Sequence, residues 1–417
     1  MVRILHILLV LILVVAVALI GVVFYQVANF NSPIVLEDCN ELGYNGENKI
    51  NVVFFSSKDN ADEYFSYFSD LSPFKNFKDK FNFYYITNYE PKCELYKEVA
   101  VLCYSKELIQ KSASCPNDYI VVLVSDFEGL IRSSSYLNVM SLNLKHPKSV
   151  FAHELGHAFV TLAEEYVPAT IPRGARNCVG NCRDFEGKED GCYVGCSRED
   201  YKRSVENGVM RTLKTDKYGK FNEGLIIERI GESIGEDVAL GPDSEIDNEN
   251  EGGFSFERLP SNVSDSITDR ITGQIVGELV DCARERYYFV EGAYLNGNIK
   301  LDNNKAVVLN GCAGENGFGG FEYWVVDSES NIIIKKKFNP ELIFTDAPGD
   351  DLIKGESFKG ERFYLKIPVV KGADKLEIRD DKEELVDELD LNNVKIFRGS
   401  YSLCRDEGEV DKPCRVV

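Results

Sequence analysis

The chain has 417 residues, 44% of them hydrophobic, and a net charge of −21. It is longer than one ordinary domain and apolar enough for real cores, so two folded domains plus a membrane segment are expected. A surface this acidic repels phosphate backbones, which argues against nucleic acid as a partner.

From Ile4 to Phe24 there is no charged side chain, and His6 is the main polar interruption. About 20 apolar residues cross a bilayer core as a helix. Arg3 precedes the run, while Glu37, Asp38 and Glu41 follow it, so the short N-terminus is expected in the cytoplasm and the rest outside. Residues 1–26 therefore read as a signal anchor, an N-terminal transmembrane helix, with a tether over 27–46. A cleaved signal peptide is the competing reading, and either one exports the chain. The 12 cysteines agree with export, because an even count in an exported chain reads as disulfides.

Lys49 to Phe55 reads as a buried strand, and Asp59 to Asp70 as a helix with Tyr64, Phe65 and Phe68 at helical spacing. Phe81–Ile86 is a second strand, Cys93–Cys115 a cysteine-bearing insertion, and Tyr119–Val124 a third, central strand. Strands alternating with helical patterns predict an α/β domain over 47–236. Asp243–Gly253 is acidic and Gly-rich, so 237–284 reads as an acidic linker and connecting segment. Short strands then recur at Tyr287–Val290, Ala306–Leu309, Phe321–Val326, Ile332–Lys335, Arg362–Ile367 and Lys375–Ile378. That spacing predicts an accessory β-sandwich over 285–403. Cys404 and Cys414 are expected to close a C-terminal disulfide loop over 404–417, and Asn262-Val263-Ser264 matches a weak glycosylation pattern.

The chemistry sits at His153-Glu154-Leu155-Gly156-His157. On a helix, positions i and i+4 share a face, so both imidazoles can meet one metal ion, and Glu154 lies beside the water on that ion. Zinc suits two imidazoles with an open position, and Glu154 can take the water's proton and pass it to a leaving amine. The flanks Ser149–Ala152 and Ala158–Val160 fit a buried helix rather than a solvated face. A third ligand is needed. A straight helix would carry Glu164 about 10 Å past His157 at 1.5 Å per residue, so the chain must bend after His157. Glu164, Glu165 and, more distantly, His146 are the candidates.

The run from His153 through Leu162-Ala163-Glu164-Glu165-Tyr166 resembles the signature of the IgA-protease-type metallopeptidases, the igalysins of the metzincin clan. Asn51–Ser57 with Phe81–Tyr85, Gly191–Gly195, Tyr201–Ser204, Val209-Met210-Arg211 and Phe221-Asn222-Glu223 resemble further parts of that family, over residues 49–236. The resemblance implies a metzincin-like α/β zinc-peptidase domain, with one catalytic Zn2+ held by His153, His157 and Glu164. It implies Glu154 as general base and acid, and Met210 as the Met-turn methionine beneath the metal. Thr161 stands where the family often has Gly, and Glu164 where it usually has Asp, so Glu165 stays open as the third ligand. Leu130–Leu144 lies where the family places an edge strand that pairs with extended peptide. Cys178, Cys182, Cys192 and Cys196 are expected as two disulfides, with a structural metal site as the alternative.

The expectation is thus a zinc metalloendopeptidase with a protein or peptide substrate. It is expected to be membrane-anchored with its catalytic domain extracytoplasmic, or secreted if the N-terminal segment is cleaved. The rivals are a catalytically inactive surface binding or adhesion protein on the same scaffold, and a metal-dependent amidase.

Overall fold

Near-continuous apolar runs form the parallel centre of a sheet, because such strands are covered on both faces. In the computed structural model, which describes residues 35–235, 281–314, 317–346 and 355–396, these runs are β2 and its neighbours. In chain order the first elements are β1 (Asn40–Gly43), β2 (Ile50–Phe55), α1 (Lys58–Asp70), β3 (Phe81–Ile86), β4 (Glu94–Tyr96) and β5 (Ala100–Leu102). Next come α2 (Lys106–Ser112), β6 (Tyr119–Val124), β7 (Ser134–Tyr136), β8 (Val139–Asn143), α3 (Ser149–Val160), β9 (Tyr193–Cys196), β10 (Arg198–Arg203) and α4 (Lys220–Ile234). Strands β3, β2, β6 and β8 run parallel, with β1 antiparallel on one side and β7 antiparallel on the other.

Helix α1 starts where Ser57 Oγ accepts a hydrogen bond from the Asn60 amide. Its buried face presents Tyr64 and Phe68. Phe68 packs at 4.9 Å from both Phe81 and Phe83, edge-on, and Phe54, Phe151 and Phe159 join the same aromatic core. This core fixes α3 against the sheet.

The second half supplies β11 (Arg286–Leu295), β12 (Asn298–Leu301), β13 (Val307–Asn310), β14 (Phe321–Val326), β15 (Ile332–Phe338) and β16 (Leu342–Thr345). It continues with β17 (Glu356–Lys359), β18 (Arg362–Pro368), β19 (Lys375–Arg379) and β20 (Leu385–Asp390). Strands β12, β13 and β18 pair around β11, and β15-β14-β19-β20 form a separate antiparallel sheet. Between them lies a second core with Val290, Tyr323, Phe338, Phe363 and Leu376.

Strands β16 and β17 do not join that layer. They extend the first sheet, whose order is β1-β3-β2-β6-β8-β7-β16-β17. A third small cluster, Leu102, Tyr136 and Ile343, packs at this seam, and the described residues between Glu37 and Lys395 form one compact unit. This corrects the expectation of a metzincin-like α/β domain followed by an all-β sandwich. Among the described residues strands far outnumber helices, with only four α-helices of 7–15 residues, and no helix is long and apolar enough to cross a membrane. The physical reason for the merged sheet is that β7 would otherwise be an edge with unpaired main-chain groups, and Ile343-Phe344-Thr345 pairs with them. The transmembrane helix expected over 1–26, most of the 237–284 linker, Asn262, Cys404 and Cys414 lie outside the described residues.

Five disulfides connect the described cysteines: 39–115, 93–103, 178–196, 182–192 and 282–312. The four cysteines around the loop after α3 are therefore in disulfides, and the structural-metal alternative falls. Such a set belongs to an oxidising compartment.

Candidate metal centre

Helix α3 places His153 and His157 one turn apart on one face, and every one of its residues is buried. It ends at Thr161, which adopts left-handed backbone at φ 53°, ψ 40°. The Thr161 amide reaches the Gly156 and His157 carbonyls, and the Leu162 amide donates to the Gly156 carbonyl at 3.0 Å. A β-branched residue is strained there by about 1–2 kcal/mol; Thr161 Oγ1 donates to the Phe318 carbonyl at 3.1 Å and helps hold it. The reversal brings Glu164 back beside the histidines.

His153 Nε2 and His157 Nε2 lie 3.1 Å apart. His157 Nε2 is 3.2 Å from Glu164 Oε1, and His153 Nε2 is 3.4 Å from Glu164 Oε2. One ligand atom from each of the three residues falls within 4.8 Å of the others. The far ring nitrogens are committed: His153 Nδ1 is 2.9 Å from the Val209 carbonyl, and His157 Nδ1 is 2.7 Å from the Leu162 carbonyl. A carbonyl only accepts, so each Nδ1 carries a proton and both Nε2 lone pairs point at one another and at a carboxylate. Converging lone pairs inside a protein call for a shared cation, so this donor set fits a metal ion. The buried His153, His157 and Glu164 group could hold one.

Without a cation between them, a protonated His153 and the Glu164 carboxylate balance one another. Burial opposes charge on Glu164, but His153 and then His157 outweigh it and hold the carboxyl down at about 2. Burial pulls His153 down, yet Glu164 more than reverses this and lifts it to about 10. Burial, with His153 adding to it, keeps His157 below its usual value. Glu154 is pushed well above the ordinary carboxylate range, first by burial and further by Asp346 and Glu164, against the pull of His153. Its two oxygens are buried, and the Asp346 backbone amide pulls the other way.

A framework around the reversal holds Glu164. The Asn177 amide group grips Ala163 on both sides: Ala163 N donates to Asn177 Oδ1 at 2.7 Å, and Asn177 Nδ2 donates to the Ala163 carbonyl at 2.8 Å. Ser197 Oγ donates to the Glu164 carbonyl at 2.7 Å. Asn177 and Ser197 adjoin Cys178 and Cys196, whose disulfide fastens the two grips together. On the other side Tyr218 Oη donates to the Ala152 carbonyl, and Ser149 Oγ donates to the Leu213 carbonyl at 2.6 Å. Met210 is fully buried, and its carbonyl accepts from the Glu165 amide at 2.9 Å.

The other candidate ligands lie elsewhere. Glu165 turns away and accepts from Asn222 Nδ2 at 2.8 Å and Asn177 Nδ2 at 3.3 Å, and burial lifts it to about 7. His146 Nδ1 is 3.0 Å from Ser133 Oγ and 3.4 Å from Asp346 Oδ2, outside the group of three. Asn177, Ser197, Phe344 and Asp346 escaped the sequence reading. The first two had only their neighbouring cysteines as a signal, and the last two had none.

Compared with models of known protein families the chain matches none, and no curated protein is significantly similar to it.

Proposed function

We propose that the protein is a zinc-dependent endopeptidase acting outside the cytoplasm. The observation that carries this reading is the convergence of His153 Nε2, His157 Nε2 and the Glu164 carboxylate, with both Nδ1 atoms already donated to carbonyls. Glu154 stands in the same helix between the two histidines. A bound zinc ion would supply Lewis acidity toward an amide carbonyl and acidify a water. The chain's own part is proton handling. Glu154, buried on the helix that carries both histidines, is the group that would accept the water's proton and deliver it to the departing amine nitrogen. The likeness of residues 153–166 to the igalysin signature supports peptide bonds as the target. Attachment to a membrane through Ile4–Phe24, or secretion after its removal, rests on the sequence.

The test uses the purified protein. Metal content should be about one zinc per chain, and casein cleavage should stop on chelation and return with zinc. The E154A variant should keep its metal and lose cleavage. Equal cleavage by wild type and E154A would refute the mechanism. Hydrolysis confined to N-acyl amides would favour the amidase reading.

A further inference from the structure

The metal group is enclosed: His153, Glu154 and Glu164 are 0% exposed and His157 4%. An endopeptidase must admit a polymer, so what closes the site matters. Part of the cover comes from β16, nearly 200 residues downstream of the motif helix. The Phe344 ring lies flat on the His157 imidazole, with centroids 4.1 Å apart and planes inclined by 9°. Asp346 follows, fully buried, and its Oδ1 accepts from the Ser133 amide at 2.6 Å. Its charge also bears on Glu154.

The main chain of this segment is an extended peptide. Ile343, Phe344 and Thr345 stand opposite Tyr136, Ser135 and Ser134 in antiparallel register. Strand β7 is the last strand of the first sheet contributed by the first half of the chain, so β16 sits on what would be its open edge. Open edges capture extended peptides through main-chain hydrogen bonds with little demand on sequence. The outer partner β17 is short, and Glu356 and Lys359 on it are exposed.

We infer that Leu342–Asp346 is a resident occupant of the substrate cleft, that the enzyme is self-occluded in this form, and that its substrate class is an extended polypeptide segment that replaces β16 along β7. The inference rests on the peptidase reading for the word substrate, while the occlusion itself rests on the geometry of Phe344 and β7. Opening then means peeling β16 from Ser134–Tyr136.

Two variants and two readouts test it. F344A removes the ring from His157. S134C/T345C places cysteines at opposed positions of β7 and β16 and, once oxidised, locks the segment in place. The first readout is the rate of zinc loss to excess dipicolinate, and the second is hydrolysis of unfolded casein. Zinc loss and cleavage should both rise at least tenfold in F344A and fall at least tenfold in the locked variant. A synthetic peptide with the sequence of residues 340–346 should inhibit F344A. Unchanged zinc loss and cleavage in F344A and in the locked protein overturn the inference. Zinc loss that changes as expected while neither protein cleaves leaves the occlusion standing and removes the peptidase reading. If F344A fails to fold, the locked variant decides alone, and zinc loss equal to wild type overturns the inference.

Discussion

Gly156, between Glu154 and His157, gives the sharpest quantitative test of the site's architecture. A methyl group at this position would lie 2.6 Å from Met210 Sδ, 3.2 Å from Tyr218 Cε1 and 3.3 Å from Leu162 Cδ1. Two effects oppose each other in G156A. Alanine is favoured over glycine in a helix by about 1 kcal/mol. Forcing an extra carbon into a packed interior costs about 1–3 kcal/mol. Met210 is fully buried, and Tyr218 is tied to the Ala152 carbonyl, so neither neighbour withdraws freely. The net expectation is a loss of up to about 2 kcal/mol, the difference of those two magnitudes. A shift of Met210 would also disturb the Val209 carbonyl that accepts from His153, so zinc affinity should fall. Urea unfolding with zinc titration measures both. In G156A/M210A the new methyl occupies space vacated by the sulfur, so the double change should cost less than the two single ones together, by about 1 kcal/mol. A G156A protein about 1 kcal/mol more stable than wild type with unchanged zinc affinity would show that propensity alone governs the position, and would refute the packing argument.

E154Q should lower casein turnover by about 10²–10⁴-fold, the range for a lost acid–base group, with zinc content intact by elemental analysis. S197A frees the Glu164 carbonyl and should weaken zinc binding by about tenfold, as loss of a supporting hydrogen bond does, in a competition assay against a chelating dye. Replacing Cys178 and Cys196 by alanine opens a bridge with a sequence separation of 18 residues and should cost about 3 kcal/mol in denaturant unfolding. Lys366 is buried on Ser112 Oγ at 2.7 Å and Asn117 Oδ1 at 2.6 Å, and burial drops it to about 7. Its folded value lies below its unfolded one, so the unfolded chain binds the extra proton and stability rises with pH between about 7 and 10.5. From pH 7.5 to 9 that gain is about 2 kcal/mol at 1.36 kcal/mol per unit, and unfolding curves of K366M should lack it.

Local pattern was legible in the sequence where local physics decides. The apolar runs at 49–55, 81–86 and 119–124 became β2, β3 and β6, and the aromatic spacing of 59–70 became α1. The need for a bend after His157 followed from helical rise alone, and Thr161 supplies it without a glycine. The pairing of β16 with β7 was not legible, because it joins positions about two hundred residues apart and Leu342-Ile343-Phe344 reads the same in any strand. For the same reason a division of the chain near residue 236 looked natural and is not what the sheet does. Glu164 and Glu165 are adjacent and chemically identical, so hydrogen bonds from Asn177, Ser197 and Asn222, remote in sequence, decide which of them faces the histidines.

The shared sheet has a practical corollary for anyone expressing fragments. A piece ending near residue 235 keeps the whole motif but loses the strand beside Ser134–Tyr136 and the lysine that satisfies Ser112 and Asn117. Its bare β7 margin would invite stacking of neighbouring molecules edge on edge. Insoluble or oligomeric behaviour of such a fragment would reflect where it was cut and would say nothing about the fitness of its zinc ligands.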